Sequence, residues 1–446
     1  MFKLVSYKKY SDIPENVWEN FCKKNKVGLE INHLKSVELS EINQIVPYYF
    51  IGFYNNEPVG IAYCFVINLD LSQISDKYPS NVISTIKQWN PDFLNFRIIE
   101  IGHLASLGTT IEVKEGFYEI FIKNFLAKID EIAIEENADF CFLRDIHLSE
   151  CPKYIFIKDL GYCAVPGYPI AEIEIKWKNL EEYFLSLKSK KRNTLIQKRA
   201  KINSKDITVE TIENYAPYSK RLAELWKNVA IKNNGYNHEN LTPEFFESMS
   251  KNMKGRSHII AIKYKNEIVC FGLNFIGDDE YFGVAEGMDY SLRDDYELYA
   301  NMFFESIDKA CKLGKKTLNI GITAYDFKTS IVAELESYIY FVKAFKNPDF
   351  TNVFAEFIQN SIKQPENYHR VFKNTNTNNR LQINDLCKKI LCNEKKNDVF
   401  EKHNKYTRIN FAKLVNLYTF CQEFESAQEP VIKQNGRDII MLGTNS

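Results

Sequence analysis

The sequence predicts an α/β protein built from two copies of one domain. Residues 48–67 and 258–276 each contain two apolar runs around a short polar turn, the pattern of a β-hairpin. In each copy an amphipathic segment and a further short apolar run follow, over 116–144 and 298–321. Recurrence of one layout along a chain indicates a tandem repeat. A chain of 446 residues has room for both copies and a further segment.

Changes in composition divide the chain into four predicted segments. The first domain is expected over residues 1–178, a basic linking helix over 179–206, and the second domain over 207–345. Residues 346–446 are predicted to form a mostly helical C-terminal tail. This tail contains a polar low-complexity linker at 374–379.

Composition excludes several classes of protein. The 57 Lys and Arg residues nearly balance 58 Asp and Glu residues, which argues against a dedicated nucleic-acid binder. The 10 cysteines show no spacing typical of a metal site, so we predict no metal and a reducing, cytoplasmic environment. No run of about eighteen apolar residues is present, so contact with the inner face of a membrane is expected to be peripheral at most.

The chemistry is predicted to lie in the second domain. The short apolar run 281–285 is typical of a buried strand, and apolar residues at three- and four-residue steps over 298–313 predict a helix that ends at Gly314. A further strand is predicted over 317–321. Because a helix joins the two strands, they are expected to be parallel. A ligand would then bind at their carboxyl ends, beside the start of the helix.

The segment 319–328 ends a strand with Gly321 and continues with the motif Tyr325-x-x-Lys328. With the order of elements over about 50–345, it resembles the GNAT-like acyltransferases of the FemAB-like group. The resemblance implies tandem GNAT-like (acyl-CoA N-acyltransferase) domains with mixed sheets. It also implies that the second domain passes an acyl group from an activated donor to an amine. The first domain lacks the motif and would shape the acceptor pocket.

Acyl transfer from a thioester to an amine needs a neutral amine, donors to the developing oxyanion, and a proton source for the thiolate. We predict that Tyr325 protonates the sulfur and that Lys328 neutralises a carrier phosphate or orients the acceptor. Glu286 or Asp289 would accept the amine proton. Each has a structural alternative: Tyr325 covering the core, Lys328 capping a turn, and Asp289 forming an Asx-turn.

The donor is predicted to be acyl-CoA or the phosphopantetheine of an acyl carrier protein. Main-chain N–H groups of the loop and helix start at 292–300 could hold its phosphates. This loop lacks the glycine-rich sequence of ordinary acetyl-CoA enzymes, so a carrier protein is an equally good donor. The residues predicted to bind the donor are Asn319, Gly321, Tyr296 and Tyr299.

Two histidines of the first domain, His103 and His147, are of the residue type that acts as acid or base near neutral pH. A lone histidine beside a strand is more often structural. We therefore interpret both as structural residues.

Residues 185–201 carry cations on most turns of a predicted helix. One interpretation is a solvated face that joins the domains. The other is an anion site for a phosphorylated carrier, a tRNA or an acidic membrane surface. FemAB-like proteins carry a similar Ser-x-x-x-Arg run at this join, and both interpretations stay open.

Residues 425–446 contain an acidic-Ser-x-Gln run, an Asn-Gly turn and a Met-x-Gly ending. They resemble the opening of an α-oxoamine synthase, a PLP enzyme of the serine palmitoyltransferase kind, which is then cut off. The alternative is a chance hairpin over 431–442. PLP chemistry needs a Schiff-base lysine and a large fold, so we expect no PLP on this chain. The expected partner is a PLP-dependent α-oxoamine synthase domain, in cis or in trans.

The product of such a synthase is an amino ketone, whose amine is a natural acceptor for a second acyl group. The leading hypothesis is an N-acyltransferase acting on the amine of a long-chain amino ketone or sphingoid base. One alternative is FemAB-type aminoacyl transfer from charged tRNA. Another is a non-catalytic module that docks a carrier protein for the PLP partner.

Overall fold

A computed structural model describes residues 1–22, 26–73, 80–232, 238–331, 334–362, 431–434 and 437–440. The described chain is a mixed α/β protein with two large mixed sheets, which confirms the predicted fold class. Its strands are β1 (Phe2–Tyr7), β2 (Val46–Tyr54), β3 (Glu57–Asp70), β4 (Asn95–Ile101), β5 (Ile111–Val113), β6 (Phe140–His147), β7 (Cys163–Pro166), β8 (Ile170–Glu174), β9 (Ile207–Ile212), β10 (Ser257–Tyr264), β11 (Glu267–Ile276), β12 (Glu280–Met288), β13 (Thr317–Asn319), β14 (Glu334–Glu336), β15 (Tyr338–Ala344), β16 (Val431–Gln434) and β17 (Arg437–Ile440).

Helices cover the two sheets. The α-helices are α1 (Glu15–Glu19), α2 (Ile31–Leu39), α3 (Ser80–Trp89), α4 (Tyr118–Glu135), α5 (Leu180–Ser186), α6 (Ser189–Ala200), α7 (Ser219–Lys232), α8 (Pro243–Asn252), α9 (Leu298–Lys312), α10 (Tyr325–Ile331) and α11 (Phe350–Ser361). No helix in the described ranges combines the length and the apolar character needed to cross a membrane.

Both predicted hairpins are present. Strands β2 and β3 pair antiparallel, and so do β10 and β11. Their turns place Asn55, Asn56, Lys265 and Asn266 at φ of 49°, 68°, 48° and 70°. Two successive residues with positive φ are the geometry of a type I′ turn, which matches the twist of the flanking strands.

The parallel pair predicted in the second domain is also confirmed, and the first sheet contains a matching pair. In the first sheet, β4 and β6 are parallel, with α4 between them in the chain. In the second sheet, β12 and β13 are parallel, with α9 between them. The two halves therefore repeat one hairpin–helix–strand unit, as the sequence predicts.

The two sheets exchange strands across the predicted domain limits. The first has the order β1-β2-β3-β4-β6-β15-β7, with β5 on β3, and the second has the order β14-β8-β13-β12-β11-β10-β9. Strand β8, which precedes residue 178, therefore lies in the second sheet, and β15, near the end of the second segment, lies in the first. Backbone hydrogen bonds of both strands cross between the halves, so the sheet boundaries differ from the limits predicted at 178 and 345.

The core of the first half packs α4 closely onto β2 and β3. The Phe121 ring of α4 lies over Gly52 and Gly60, and a Cβ added to them would come within 2.6 Å and 2.8 Å of it. Phe121 is fully buried, with Phe125 one turn further along the same helix. Glycine is required at these positions because it leaves room for the ring.

Replacing Gly52 with alanine is expected to destabilise the fold by about 1–3 kcal/mol through overpacking. The free energy of unfolding from urea titration measures the loss. The double variant Gly52→Ala with Phe121→Leu should lose less stability than the sum of the losses of the two single variants, because the smaller Leu side chain relieves the clash with the added methyl group. Strict additivity would contradict this account of the contact.

The tail is described only in part. Helix α11 and the antiparallel pair β16–β17 are present, and this pair lies within the hairpin predicted over 431–442. The low-complexity linker at 374–379 and most of the segment that resembles a synthase opening lie outside the described residues.

Candidate active site

Strands β12 and β13 part from each other in the second sheet. Their parallel ladder covers three residue pairs and ends at Phe282 and Asn319. Strand β12 continues to Met288, paired with β11 on its other side. The chain after β13 turns towards β8, where Ile320 N donates to Ala171 O at 2.9 Å. Within the described ranges no strand pairs with β12 on this side beyond Phe282, so a fork opens that offers main-chain groups to a ligand.

Gly321 lies at the base of this fork. Its φ is +72°, in the left-handed region that favours glycine. A Cβ added there would have its nearest neighbours at 3.9 Å: Gly283 O, a Leu107 methyl group and Lys328 Nζ. Backbone conformation, more than space, therefore explains the glycine. The same contacts place Lys328 at the base of the fork.

Glu286 and Lys328 lie near enough to each other at the fork for each charge to shift the pKa of the other. Lys328, on α10, is only 5% exposed, and its Nζ donates to Ile322 O at 2.6 Å. Glu286 lies on β12 beyond the end of the ladder. Burial raises the pKa of Glu286 to about 7, an effect that the charge of Lys328 opposes. Burial lowers the pKa of Lys328 to about 8, and Glu286 opposes that shift. Both groups can therefore exchange protons near neutral pH, as general acid–base chemistry requires.

Aromatic side chains surround the pair. The Tyr299 ring packs against Phe303 and Phe327, with centroids 5.0 Å apart in both cases. Burial, and then the charge of Glu286, raises the pKa of Tyr299. Lys328 Nζ lies 6.0 Å from the centroid of the Phe303 ring. A poorly solvated surrounding of this kind strengthens the electrostatic interactions of the pair.

Two further predicted residues contact the same region. Tyr325 is the first residue of α10. Its hydroxyl donates to Pro169 O at 2.7 Å and so contacts the segment that leads into β8. The Asn319 Oδ1 accepts from Gly321 N at 2.9 Å, and its side chain also bonds Glu280. The structure therefore brings Glu286, Lys328, Tyr299, Gly321 and Asn319 to one region, with Tyr325 at its edge. Their roles stay predictions.

The described contacts of Asp289 and Tyr296 lie elsewhere. Asp289 Oδ1 accepts from Ser291 N at 2.9 Å and from Ser291 Oγ at 2.6 Å, the Asx-turn alternative. The Tyr296 ring packs on Tyr264, with centroids 5.5 Å apart.

The loop between β12 and α9 uses several of its own N–H groups. Leu292 N donates to Asp289 O, Tyr296 N to Leu292 O, and Leu298 N to Arg293 O. Fewer N–H groups therefore remain for a donor phosphate than the sequence suggests.

Sequence reasoning did not identify an acidic cluster beside the fork. Glu172 on β8 pairs with Asn319 in register, and Glu280 lies two residues before the end of the β12–β13 ladder. Burial, followed by the charges of Glu280 and Glu336, raises the pKa of Glu172 to about 8. Burial raises the pKa of Glu280 to about 7. Only the exchange of β8 into the second sheet brings these carboxyl groups together, and no local pattern signals it.

The two histidines have structural contacts. The buried His103 ring lies 6.3 Å from that of His33, and burial lowers the pKa of His103 well below its usual value. His147 Nε2 lies 3.1 Å from a carboxylate oxygen of Glu336, which raises the pKa of His147.

A buried charge network joins the two halves. His238 Nε2 lies 2.7 Å from Glu100 Oε2, and His238 Nδ1 lies 3.0 Å from Glu239 Oε1. Arg144 pairs with Glu100 and donates to His103 O. Glu100 is completely buried. Arg144 Nη1 also lies 3.8 Å from Oδ2 of the buried Asp145, so each buried charge here has an opposite charge beside it, which is how buried charges are tolerated.

The two sheets and the fork define a mixed α/β protein built from two similar halves. Residues 172–379 match the profile of the FemAB-like family, described as peptidoglycan biosynthesis/recognition. The match begins in the exchanged strand β8 and includes the whole fork. The crystal structure of FemX aligns with a TM-score of 0.50 and 13% identity, over 78% of this chain and 98% of that chain, which shows the shared fold.

A curated relative extends the similarity to nearly the whole chain. The chain is 28% identical over 436 residues to the putative 8-amino-7-oxononanoate synthase 2 of Mycobacterium tuberculosis, strains CDC 1551 and H37Rv. The alignment includes 94% of this chain and 55% of that protein. The chain thus spans about half the length of the curated relatives it matches.

Proposed function

We propose that this chain is an N-acyltransferase. It would move an acyl group from a thioester donor, acyl-CoA or an acyl carrier protein, to the amine of a long-chain amino ketone or sphingoid base. The observation that carries the proposal is that the buried Lys328 and the partly buried Glu286 both lie at the fork of β12 and β13, with pKa values of about 8 and 7. A thioester lying in the fork would have its carbonyl carbon within reach of groups that transfer protons at neutral pH.

The proposed reaction returns the pair to its starting state. The acceptor ammonium loses a proton to the Glu286 carboxylate, and the neutral nitrogen attacks the thioester carbon. Lys328 at the base of the fork lies near the developing oxyanion and stabilises it. The C–N bond forms, the C–S bond breaks, and the second amine proton reaches the thiolate through Lys328 or Tyr325. The proton on Glu286 then leaves to solvent, so no other reactant is needed.

The choice of acceptor rests on the curated relative. That protein is named as a putative 8-amino-7-oxononanoate synthase, a name that denotes an amino ketone product. A region similar to this chain makes up about half of it. We infer that acyl transfer by this chain acts on an amino ketone of the same chemical kind, delivered by a PLP-dependent α-oxoamine synthase partner in cis or in trans.

A second candidate is aminoacyl transfer from charged tRNA. The match of residues 172–379 to the FemAB-like profile and the fold shared with FemX favour it. The same fork and pair would serve an aminoacyl ester in place of a thioester. The two candidates differ in the donor that the reaction requires, which is an acyl thioester for the first and charged tRNA for the second.

The purified chain, incubated with sphinganine and either palmitoyl-CoA or palmitoyl carrier protein, is expected to form the amide, detected by mass spectrometry. Parallel reactions with charged tRNA test the second candidate. Amide formation that requires charged tRNA would replace the first candidate by the second. Absence of any amide with all three donors would reject both, and would leave the non-catalytic docking module.

The rate of transfer is expected to depend on pH as a narrow bell. It should rise as Glu286 loses its proton near pH 7 and fall as Lys328 loses its proton near pH 8. In Glu286→Gln the acid limb should disappear while the basic limb remains. A profile of kcat/KM in which both limbs survive this substitution would exclude Glu286 as the base.

A further inference from the structure

The N-terminal end of α6 carries an unbalanced group of cations. Lys188, Lys190, Lys191 and Arg192, here called the basic end of α6, form no ion pair with any residue in the described ranges. The first turn of the helix contains no acidic residue, and the Lys188 side chain makes no capping hydrogen bond. Cations at a helix N-terminus interact unfavourably with the helix dipole. An anionic partner would relieve this repulsion.

The other end of α6 is fixed beside the fork. Lys198 pairs with Glu297, the residue before α9, at 2.7 Å, and Arg199 pairs with Glu305 at 2.6 Å. The Asn301 side chain also donates to Lys198 O at 3.0 Å. These contacts hold α6 against the start of α9, next to the loop that follows β12.

The basic end lies about two helical turns from the contacts that α6 makes with α9. Eight residues separate Lys190 from Lys198, roughly 12 Å along a helix axis. An extended phosphopantetheine arm is longer than this. A protein bound at the basic end would therefore be able to pass such an arm towards the fork.

Two exposed apolar side chains lie near these cations in the chain. Leu185 of α5 is 55% exposed, and Ile196 of α6 is 45% exposed. Exposed apolar side chains together with charged ones are the composition of a protein–protein contact. A membrane surface fits this helix less well, because Leu195 is the single buried residue of α6. The helix therefore lacks the broad apolar face with which a helix enters a membrane surface.

We propose that the basic end of α6 docks an acidic carrier protein, whose phosphopantetheine-linked acyl group enters the fork between β12 and β13. This inference rests on the proposed acyl transfer and names the donor. It favours a carrier protein over tRNA because the formal net charge of the chain is −1 and the four cations form one small group at a helix end. A tRNA surface would need a wide positive field.

The test reverses the charge of the four cations together, in Lys188→Glu, Lys190→Glu, Lys191→Glu and Arg192→Glu. The matched control reverses four exposed lysines on other elements, Lys3, Lys9, Lys251 and Lys254. Transfer of palmitate to sphinganine is measured with palmitoyl carrier protein and with palmitoyl-CoA. Binding of a fluorescent acidic acyl carrier protein is measured separately by anisotropy.

The reversal is expected to lower kcat/KM for the carrier-borne donor by about 10- to 100-fold and to weaken carrier binding similarly, through loss of charge complementarity. Activity with palmitoyl-CoA should stay within about twofold, which also reports correct folding, and the control should retain both activities. Unchanged carrier use, or equal loss with both donors, would overturn the inference.

Two other outcomes would also overturn it. In the first, the charge-reversed variant no longer co-sediments with phosphatidylserine vesicles but binds the carrier protein as the wild type does. In the second, acyl transfer requires charged tRNA. If no donor supports transfer but the reversal abolishes carrier binding, the proposed function fails and the docking surface stands.

Discussion

The variant Lys328→Met is expected to lower kcat for acyl transfer by about 100- to 1,000-fold. Methionine is long enough to keep the packing against Phe303, so the main loss is electrostatic. The variant removes the positive charge that opposes the raised pKa of Glu286, so burial raises that pKa further. The base would then be protonated at neutral pH, and the oxyanion would lose its neighbouring cation. Steady-state rates with palmitoyl-CoA measure the effect.

Two comparisons sharpen this prediction. Lys309→Met, on the same half of the molecule, should retain the wild-type rate because Lys309 lies on α9 outside the contacts of the fork. In the double variant Lys328→Met with Glu286→Gln, the loss should be close to that of the more damaging single change, since residues that act as a unit are not additive. A wild-type rate for Lys328→Met would remove the pair from the mechanism while leaving the fold untouched.

Breaking the charge network between the halves is expected to have the largest effect on stability. Arg144→Met should destabilise the protein by about 3–5 kcal/mol, because it leaves the completely buried Glu100 with His238 as its remaining cation. The free energy of unfolding from urea titration at pH 7 measures the loss. The exposed pair Lys123–Glu119 is the control, and Lys123→Met should change stability by less than about 0.5 kcal/mol. Equal losses at both positions would show that the network contributes no more than a surface pair.

The same network is expected to make stability depend on pH. Glu100 and Glu239 raise the pKa of His238 from 6.5 to about 9. A raised pKa contributes stability that is fully present below the unfolded value of 6.5 and is lost as pH rises through 9. His238 and Arg144 lower the pKa of Glu239 from 4.5 to about 2, and this contribution is lost as pH falls from 4.5 through 2.

Stability from these two residues should therefore be greatest between about pH 4.5 and 6.5. Unfolding titrations across pH 5–9 should show a decline above pH 6.5 that is absent in His238→Asn. A decline of the same size in that variant would assign it to other groups.

Much of the fold was predictable because its signals are local. Each hairpin has two apolar runs around a short polar turn, and α9 has apolar residues at helical spacing before Gly314. The exchange of β8 and β15 was not predictable. Both are short strands whose partners lie far away in the chain, and nothing in such a short segment specifies its sheet.

The candidate site follows the same division. Glu286, Asn319, Gly321 and Lys328 belong to one local strand–helix–strand–helix unit, so their proximity could be predicted from the local sequence, while their roles stay predictions. Glu172 joins them only through the exchanged strand. The network of Arg144 with Glu100 and His238 likewise depends on contacts between the halves.

A crystal structure with a non-hydrolysable palmitoyl-CoA analogue tests the central claim most directly. The account predicts that the pantetheine amides bond the main chain of β12 beyond Phe282, with the acyl carbonyl beside Gly321 and Lys328. An analogue bound away from the fork, with β13 still meeting β12 at Phe282 and nothing between Gly283 and Met288, would contradict it.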